Sequence, residues 1–271
     1  MTRVIRLDSV NSTNTYAATV ADTLGHGDVV TTRSQTAGRG QRGNSWEAEP
    51  GRNLTFSLML RPEGVRADEQ FLVSEAVALG VADVLQRHLP AERISVKWPN
   101  DIYAGDRKIC GILIENVVSG KGLVRSIAGI GINVNQREFI SDAPNPVSML
   151  QLAGHEFDLD TLLAEVTEHI LELATRLHTL PGPYAARLWR REGIYPYIDH
   201  TRGGIPFSAS LTSVSPTGIL TLTDTDGNSF SVEKTEPVIL EAGGKHETDD
   251  ARSNFVTELV FCGDNMVYMI D

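Results

Sequence analysis

The segment from Gln35 to Trp46, QTAGRGQRGNSW, constrains the fold more than any other part of the chain. It lies between a β-branched run at Val29 to Thr32 and a second strand-like run at Leu54 to Leu60. Its glycines let backbone N–H groups approach a ligand closely, and its arginines supply fixed positive charge. The pattern predicts two strands joined by an anion-binding loop. The alternative is a solvated surface loop with no binding role.

Composition bounds the class of protein. The 271 residues are 41% hydrophobic and 22% charged, which is ordinary for a chain with a buried core. The formal net charge of -11 disfavours attraction to DNA, RNA or an anionic membrane. No apolar run has the length of a membrane span, and the N-terminal residues lack the features of a signal peptide, so we expect a cytoplasmic protein. Cys110 and Cys262 are predicted to be free thiols, and no spacing indicates a metal site.

Apolar periodicity predicts the helices. Ser12, Thr13 and Asn14 are capping residue types in front of a helical stripe. Two longer helices are expected over Ala67 to Leu89 and over Asp160 to Leu180, the second capped by Asp160, and a third over Pro183 to Arg191. For Ser12 and Thr13 a capping role alone and a role in facing a polar ligand remain open at this point.

Strand patterns complete the first domain. After a short strand at the N-terminus, strands are expected at Ile94 to Trp98, at Ile109 to Val118 and at Leu123 to Asn135, with Pro99-Asn100-Asp101 as a turn. Gly129 and Gly131 would weaken the last strand, which indicates that a ligand or another backbone approaches closely there.

The predicted fold class is therefore α+β. Residues 1–192 form a mixed sheet with helices, and residues 193–240 form a small β-module with a hairpin turn at Asp226-Gly227. Residues 241–271 are an acidic tail of unassigned role, for which an extra strand or hairpin on the β-module is the simplest expectation.

Two further segments carry candidate chemistry. Lys97 ends a strand and is followed by the rigid turn WPND, although a single lysine is far more often a solvated surface residue. GIGINVN, from Gly129 to Asn135, is a glycine-relieved strand that ends in side-chain amides.

The order of these motifs is informative. DSVNSTNTY, QTAGRGQRGNSW, KWPNDIY, RKICGILIE and GIGINVN occur between Asp8 and Asn135. At these motifs the chain resembles the biotin protein ligases. The resemblance implies a class II synthetase-like catalytic domain and, less specifically, an SH3-like C-terminal β-barrel. It extends over about residues 1–240 and leaves the tail unexplained.

The resemblance implies a two-step reaction. Biotin and ATP, with Mg²⁺, form biotinyl-5′-AMP and pyrophosphate, and a lysine of a biotin carboxyl carrier protein or domain then attacks the mixed anhydride. Repulsion between the biotin carboxylate and the α-phosphate opposes the first step, and Lys97 is expected to offset it as a point charge.

The resemblance also assigns the candidate site residues. The residues expected to bind biotin are Ser12, Thr13, Asn14, Gln35, Gly38, Arg39, Lys97, Gly111 and Gly129. The residues expected to bind ATP are Arg39, Gly40, Arg42, Trp46, Lys97, Asn100, Lys108 and Asn133, with Trp46 stacked on the adenine. The catalytic residues are expected to be Lys97, Arg39 and Asp101, with Asp101 orienting and deprotonating the attacking amine. Lys108 is either a phosphate contact or a turn residue.

One position departs from the family pattern. Many members have arginine where this chain has Gln41, and that arginine helps to keep the loop closed over biotinyl-5′-AMP. We expect the loop to fold over its ligand, because it would contact the biotin, the phosphates and the adenine. Because Gln41 is neutral, we expect the loop to retain the intermediate less well, unless Arg42 compensates.

The rival interpretations are a lipoate ligase, which would leave the polar set Ser12, Thr13 and Gln35 without a purpose, and a biotin or nucleotide sensor that does not ligate. The first motif begins so close to Met1 that no DNA-binding domain is expected ahead of it. A homodimer is possible.

Overall fold

The computed structural model describes residues 2–40, 45–119, 122–140, 145–199, 205–232, 238–240, 257–262 and 265–270. The chain divides into two compact units, the first formed by Met1–Ser141 with Pro146–Trp189 and the second by Asp142–Asn145 with Arg190–Asp271. Among the described residues, no helix combines the length and the apolar character needed to cross a membrane.

A mixed sheet forms the centre of the first unit. Its strands are β1 (Val4–Leu7), β2 (Val29–Thr32), β3 (Leu54–Leu60), β4 (Ile94–Lys97), β5 (Asp101–Ala104), β6 (Arg107–Ser119) and β7 (Gly122–Ile132). They lie in the order β1-β2-β3-β7-β6-β5-β4, in which only β1 and β2 are parallel. The predicted α+β class with a mixed sheet and helices is confirmed.

Helices accompany this sheet. They are α1 (Thr13–Thr19), α2 (Phe71–His88), α3 (Met149–Ala153), α4 (Leu159–Ala174) and α5 (Pro181–Ala186). Helices α2 and α4 pack closely at Gly80, where a β-carbon would lie 2.5 Å from Ile170 Cγ1. The apolar stripe of the predicted helix over Ala67 to Leu89 is buried in α2, where it forms much of the core.

Two predicted helices end earlier than expected. Helix α4 ends at Ala174 and not at Leu180, and α5, predicted over Pro183 to Arg191, ends at Ala186.

Other local details also differ from the predictions. The N-cap of α4 is Asp158, whose side chain accepts a hydrogen bond from Thr161 N, and not Asp160, which lies in the first turn and pairs with Arg6 instead. Helix α3, capped by Ser148, was not predicted because five residues are too few to show a period. Asp101 begins β5 and is not part of the turn, because its backbone pairs with Lys97.

The second unit contains an antiparallel sheet. Its strands are β8 (Tyr195–Asp199), β9 (Ile205–Val214), β10 (Leu220–Asp224), β11 (Ser229–Val232) and β12 (Val238–Leu240), in the order β11-β10-β9-β8-β12. The hairpin turn predicted at Asp226-Gly227 is confirmed: Gly227 has a φ of +87° and the carboxylate of Asp224 accepts backbone N–H groups of the turn. Closure of this sheet into an SH3-like barrel stays a prediction. In the tail, β13 (Thr257–Cys262) and β14 (Asn265–Ile270) form a hairpin.

Candidate active site

One row of paired residues crosses six strands of the first unit. Each member is paired with the next across the sheet, so their side chains leave the same face. The row consists of Thr32, Thr55, Gly131, Gly111, Asp101 and Lys97. The register therefore places Lys97 and Asp101 on the same face of the sheet as Gly111 and Gly131.

The predicted biotin-binding side chains of α1 meet on this face. Thr13 donates its backbone N–H to Gln35 Oε1 at 2.8 Å, and its Oγ1 lies 2.8 Å from Ser57 Oγ. Ser57 Oγ also lies 2.6 Å from Asn14 Oδ1, and Asn14 Nδ2 donates to Leu113 O at 3.1 Å. Ser12 caps α1 by accepting from Thr15 N, so its capping role is confirmed. These hydroxyl and amide groups form a buried polar cluster that offers both donors and acceptors.

Two glycines of β7 accommodate side chains that cross the sheet. A β-carbon at Gly129 would lie 2.5 Å from Asn14 Oδ1, and one at Gly131 would run into Cε2 of Trp46. Gly111, paired with Gly131, also lies under the indole, since its β-carbon would be 2.9 Å from Trp46 Cζ3. We call Gly111 and Gly131 the glycine platform. The close approach predicted at Gly129 and Gly131 is present, and the approaching groups are side chains.

Two buried polar atoms lie near this platform. Trp46 Nε1 and Asn133 Oδ1 find no hydrogen-bond partner among the residues that the structure describes. Asn133 is held through its Nδ2, which donates to Val147 O at 3.2 Å. A buried polar atom without a partner is costly unless a ligand or water satisfies it, so both atoms are suited to contact a polar ligand.

The glycine/arginine loop is closed at its base. Trp46 N donates to Gly38 O at 3.0 Å, and Arg39 forms a bridge with Ser45. A β-carbon at Gly38 would lie 2.7 Å from Trp46 O, which explains the need for glycine. The guanidinium of Arg39 is bound to Glu115 of β6 at 3.0 Å. Gly40 follows within the described part of the loop.

Gln41, Arg42 and Gly43 lie outside the described residues, so the interpretation of Gln41 as a departure from the family pattern stays a prediction.

Lys97 is buried, with 1% of its surface exposed. Its Nζ donates to Tyr103 Oη at 2.6 Å and lies 4.5 Å from the centre of that ring. Beside it, Lys108 Nζ pairs with Asp101 Oδ2 at 2.8 Å, and both groups are mostly buried. Asn100 Nδ2 donates to Ile112 O at 2.7 Å, which fixes the turn after Lys97.

Cys110 precedes Gly111 on β6, so its side chain lies on the opposite face of the sheet from the glycine platform, where it is fully buried. Burial raises the pKa of Cys110 well above its usual range, and Asp101 raises it further while Lys108 lowers it. A neutral buried thiol is a poor nucleophile. Within the described ranges, no group of three or more His, Cys, Asp or Glu side chains is placed to hold a metal ion.

Some residues of this site were not predicted from the sequence. Ser57 stands in a buried strand between apolar residues. Glu115 and Tyr103 lie within the motifs RKICGILIE and KWPNDIY, but neither was predicted to act in the site. Trp189 has no signal in the sequence, because only the fold brings it close to Lys97. The alternation of side chains along β3 would have shown which residues share a face with Ser57. It would not have shown that Ser57 is paired with Gly129 of β7.

The chain is similar to known proteins in sequence and in fold. A model described as the biotin/lipoate A/B protein ligase family matches residues 7–133. The biotin--[acetyl-CoA-carboxylase] ligase of Paracoccus denitrificans is 36% identical over 166 residues, which cover 58% of this chain and 67% of that protein. The chain belongs to the biotin/lipoate A/B protein ligase family.

Other proteins are similar to the chain in sequence or in fold. The bifunctional ligase/repressor BirA of Escherichia coli (strain K12) is 35% identical over 193 residues, covering 71% of this chain and 56% of that protein. The chain thus spans little more than half the length of that relative. The biotin protein ligase from Aquifex aeolicus in complex with biotin and ATP has the same fold, with a TM-score of 0.69, 23% identity and coverage of 86% of this chain and 96% of that one.

Proposed function

We propose that the chain is a biotin protein ligase that activates biotin with ATP and transfers it to a lysine of a biotin carboxyl carrier domain. The observation that carries the proposal is the row from Lys97 through Gly111 to Gly131, because it aligns a buried ammonium with a platform and a polar cluster on one face. A neutral ring with both donors and acceptors suits the cluster, and a carboxylate suits the ammonium.

The residues have distinct roles in this proposal. Thr13, Asn14 and Gln35 bind the ureido group with Ser12, and Ser57 holds them in place. Lys97 neutralises the charge that builds up while a biotin carboxylate oxygen attacks the α-phosphorus and pyrophosphate leaves.

The nucleotide end belongs to other residues. Arg39 binds phosphate together with the backbone of Gly38 and Gly40, and Trp46 and Asn133 contact the nucleoside. Mg²⁺ enters as the complex with ATP, held by phosphate oxygens and water. In the second step the carrier amine attacks the acyl carbon, loses a proton and displaces AMP, with Asp101 as the group that receives the proton.

The remaining assignments belong to the same proposal. Residues 1–192 form the catalytic domain, residues 193–240 an SH3-like domain, and residues 241–271 a tail of unknown role. The protein acts in the cytoplasm, which the free buried thiol of Cys110 supports. It does not bind DNA, in line with its net charge of -11, and a homodimer is a possible state.

One assay tests the function. The purified chain is incubated with MgATP, a biotin carrier domain and labelled biotin or labelled lipoate, and transfer of label is measured. We expect biotin transfer, and we expect loss of biotin-dependent pyrophosphate exchange in Lys97→Ala with partial retention in Lys97→Arg, which keeps the charge. Label from lipoate would make the chain a lipoate ligase, and biotin binding without transfer would make it a sensor.

A further inference from the structure

A short segment at the end of the first unit is hydrogen-bonded to the strand that carries Lys97. Val96 N donates to Arg187 O at 2.9 Å, and Trp189 N donates to Val96 O at 2.8 Å. Leu188 forms a parallel bridge with Val96 and is buried. The segment Arg187–Trp189 therefore continues the sheet beyond β4, directly next to the position of Lys97.

Two aromatic rings enclose the Lys97 ammonium. Lys97 Nζ lies 4.5 Å from the centre of the Tyr103 ring and 5.3 Å from that of the Trp189 ring. The centres of the two rings are 5.4 Å apart and the rings are inclined by 50°. The contact with Tyr103 is a hydrogen bond from Nζ to Oη at 2.6 Å, whereas the Trp189 ring attracts the cation through its quadrupole, more strongly where water is excluded. We call these two side chains the aromatic box of Lys97.

Polar contacts fix the box from outside. Trp189 Nε1 donates to Asp106 Oδ1 at 3.0 Å, which sets the orientation of the indole. Arg187 is held by Asp83 of α2 at 2.5 Å, which fixes the other end of the segment. Lys97 is thus held by a ring from β5 and by a ring from a segment that α2 and the turn after β5 both anchor.

We propose that Tyr103 and Trp189 are positioning residues for Lys97 in the adenylation step. The inference rests on the proposed function. A lysine side chain has many rotamers, and an ammonium lowers a barrier most when it is already in place before charge develops. The box restricts this freedom through two uncharged side chains that contact Nζ.

Kinetics of biotin-dependent pyrophosphate exchange test the proposal. We expect Trp189→Leu and Tyr103→Phe each to lower kcat by about tenfold, with KM for biotin and ATP changed by less than about twofold, because the box acts on the reacting lysine and not on substrate affinity. Trp189→Phe keeps a ring over Nζ, and we expect it to retain most of the activity. A rise in KM with unchanged kcat would overturn the proposal.

Tyr184→Phe is the matched control. Tyr184 is a fully buried tyrosine of the same unit, and its hydroxyl has no hydrogen-bond partner within the described part of the chain. We expect Tyr184→Phe to leave kcat unchanged, whereas Tyr103→Phe removes a hydroxyl that is hydrogen-bonded to Lys97. Equal effects of the two substitutions would show that the loss is merely structural and would overturn the proposal.

A second readout does not depend on activity. Full-length wild type and variants are treated with an amine-reactive reagent, and the modification rates of Lys97 and of the more exposed Lys108 are compared by mass spectrometry. We expect Lys97 to be modified slowly in the wild type, because it is buried beside the Trp189 ring. In Trp189→Leu we expect its modification to be about tenfold faster, because that ring is lost. Equal modification rates of Lys97 in the wild type and in Trp189→Leu would overturn the proposal. Absence of exchange in the wild type would instead refute the proposed function, while the labelling result would still stand.

Discussion

The carboxylate of Glu115 lies 3.0 Å from the guanidinium of Arg39, so the arginine predicted to bind phosphate is already paired with an anion of the sheet. Both side chains are about half exposed. An ion pair of this kind contributes little to stability, but it occupies the donors that a phosphate would use. If Arg39 binds phosphate as proposed, Glu115 competes with the nucleotide for it.

We expect Glu115→Gln to lower KM for ATP by up to about fivefold at low salt, which corresponds to the small free energy of an exposed ion pair. The effect should shrink at about 0.5 M salt, where screening has already weakened the pair. Steady-state pyrophosphate exchange provides the measurement. Glu156→Gln, which breaks a similarly exposed pair with Arg52 elsewhere, is the control. A higher KM in Glu115→Gln would mean that Glu115 orients Arg39 for ATP instead.

The approach of Asn14 to Gly129 makes a second prediction. In Gly129→Ala the new β-carbon would lie 2.5 Å from Asn14 Oδ1, so Asn14 must leave its contacts with Ser57 and Leu113. We expect biotin affinity to fall by about tenfold or more, in line with the cost of overpacking a rigid site. Calorimetric titration with biotin measures it.

Gly122→Ala on the same strand is the control for Gly129→Ala. Its β-carbon would meet nothing nearer than Ser119 O at 3.9 Å. We expect this variant to bind biotin as the wild type does. Equal affinities of wild type and Gly129→Ala would remove Asn14 from the biotin site.

Local chemistry explains which parts of this site were predictable. The loop, the turn after Lys97 and the glycines of β7 are visible in the sequence because each demands particular residue types over a short span. The row that joins Lys97 to Gly131 is not visible, because its register is set by pairing between strands that are distant in the sequence. Trp189 was missed for the same reason: a tryptophan in a segment that was predicted to be helical does not indicate the strand beside which it lies.

Helix boundaries show a related limit. The stripe of α4 was correct, but its cap was placed two residues late, since Asp158 and Asp160 are both capping residue types. Only the contact with Thr161 N distinguishes them. The pairing of Asp160 with Arg6 depends on the tertiary fold.

Glu75 makes the stability of the first unit depend on pH. Burial raises the pKa of its carboxyl from 4.5 to about 7, and neither oxygen has a hydrogen-bond partner among the described residues. Because the folded state holds this proton more tightly than the unfolded state, the free energy of unfolding is highest below pH 4.5 as far as this group is concerned. It falls as the pH rises to about 7 and stays low above it.

We expect Glu75→Gln to remove this component, which is up to about 3 kcal/mol. The measurement is urea unfolding of wild type and variant between pH 5 and pH 8, where the difference in free energy should grow in favour of the variant as the pH rises. Glu168→Gln, an exposed substitution on α4, is the control. A difference that does not vary with pH would show that Glu75 is charged in the folded protein throughout this range.

Substitutions at the ion pair between Asp101 and Lys108 can distinguish the adenylation step from the transfer step. Asp101 Oδ2 lies 2.8 Å from Lys108 Nζ, so a carboxylate expected to receive a proton from the carrier amine is held in place by a cation. We expect Asp101→Asn to slow transfer from biotinyl-5′-AMP to the carrier by about a hundredfold, the usual contribution of a general base, and to leave adenylation within about threefold. Single-turnover transfer and pyrophosphate exchange measure the two steps. Lys108→Met completes the comparison: slower transfer alone would give Lys108 a role through Asp101, and slower adenylation would make it a phosphate contact. Normal transfer in Asp101→Asn would exclude Asp101 as the base.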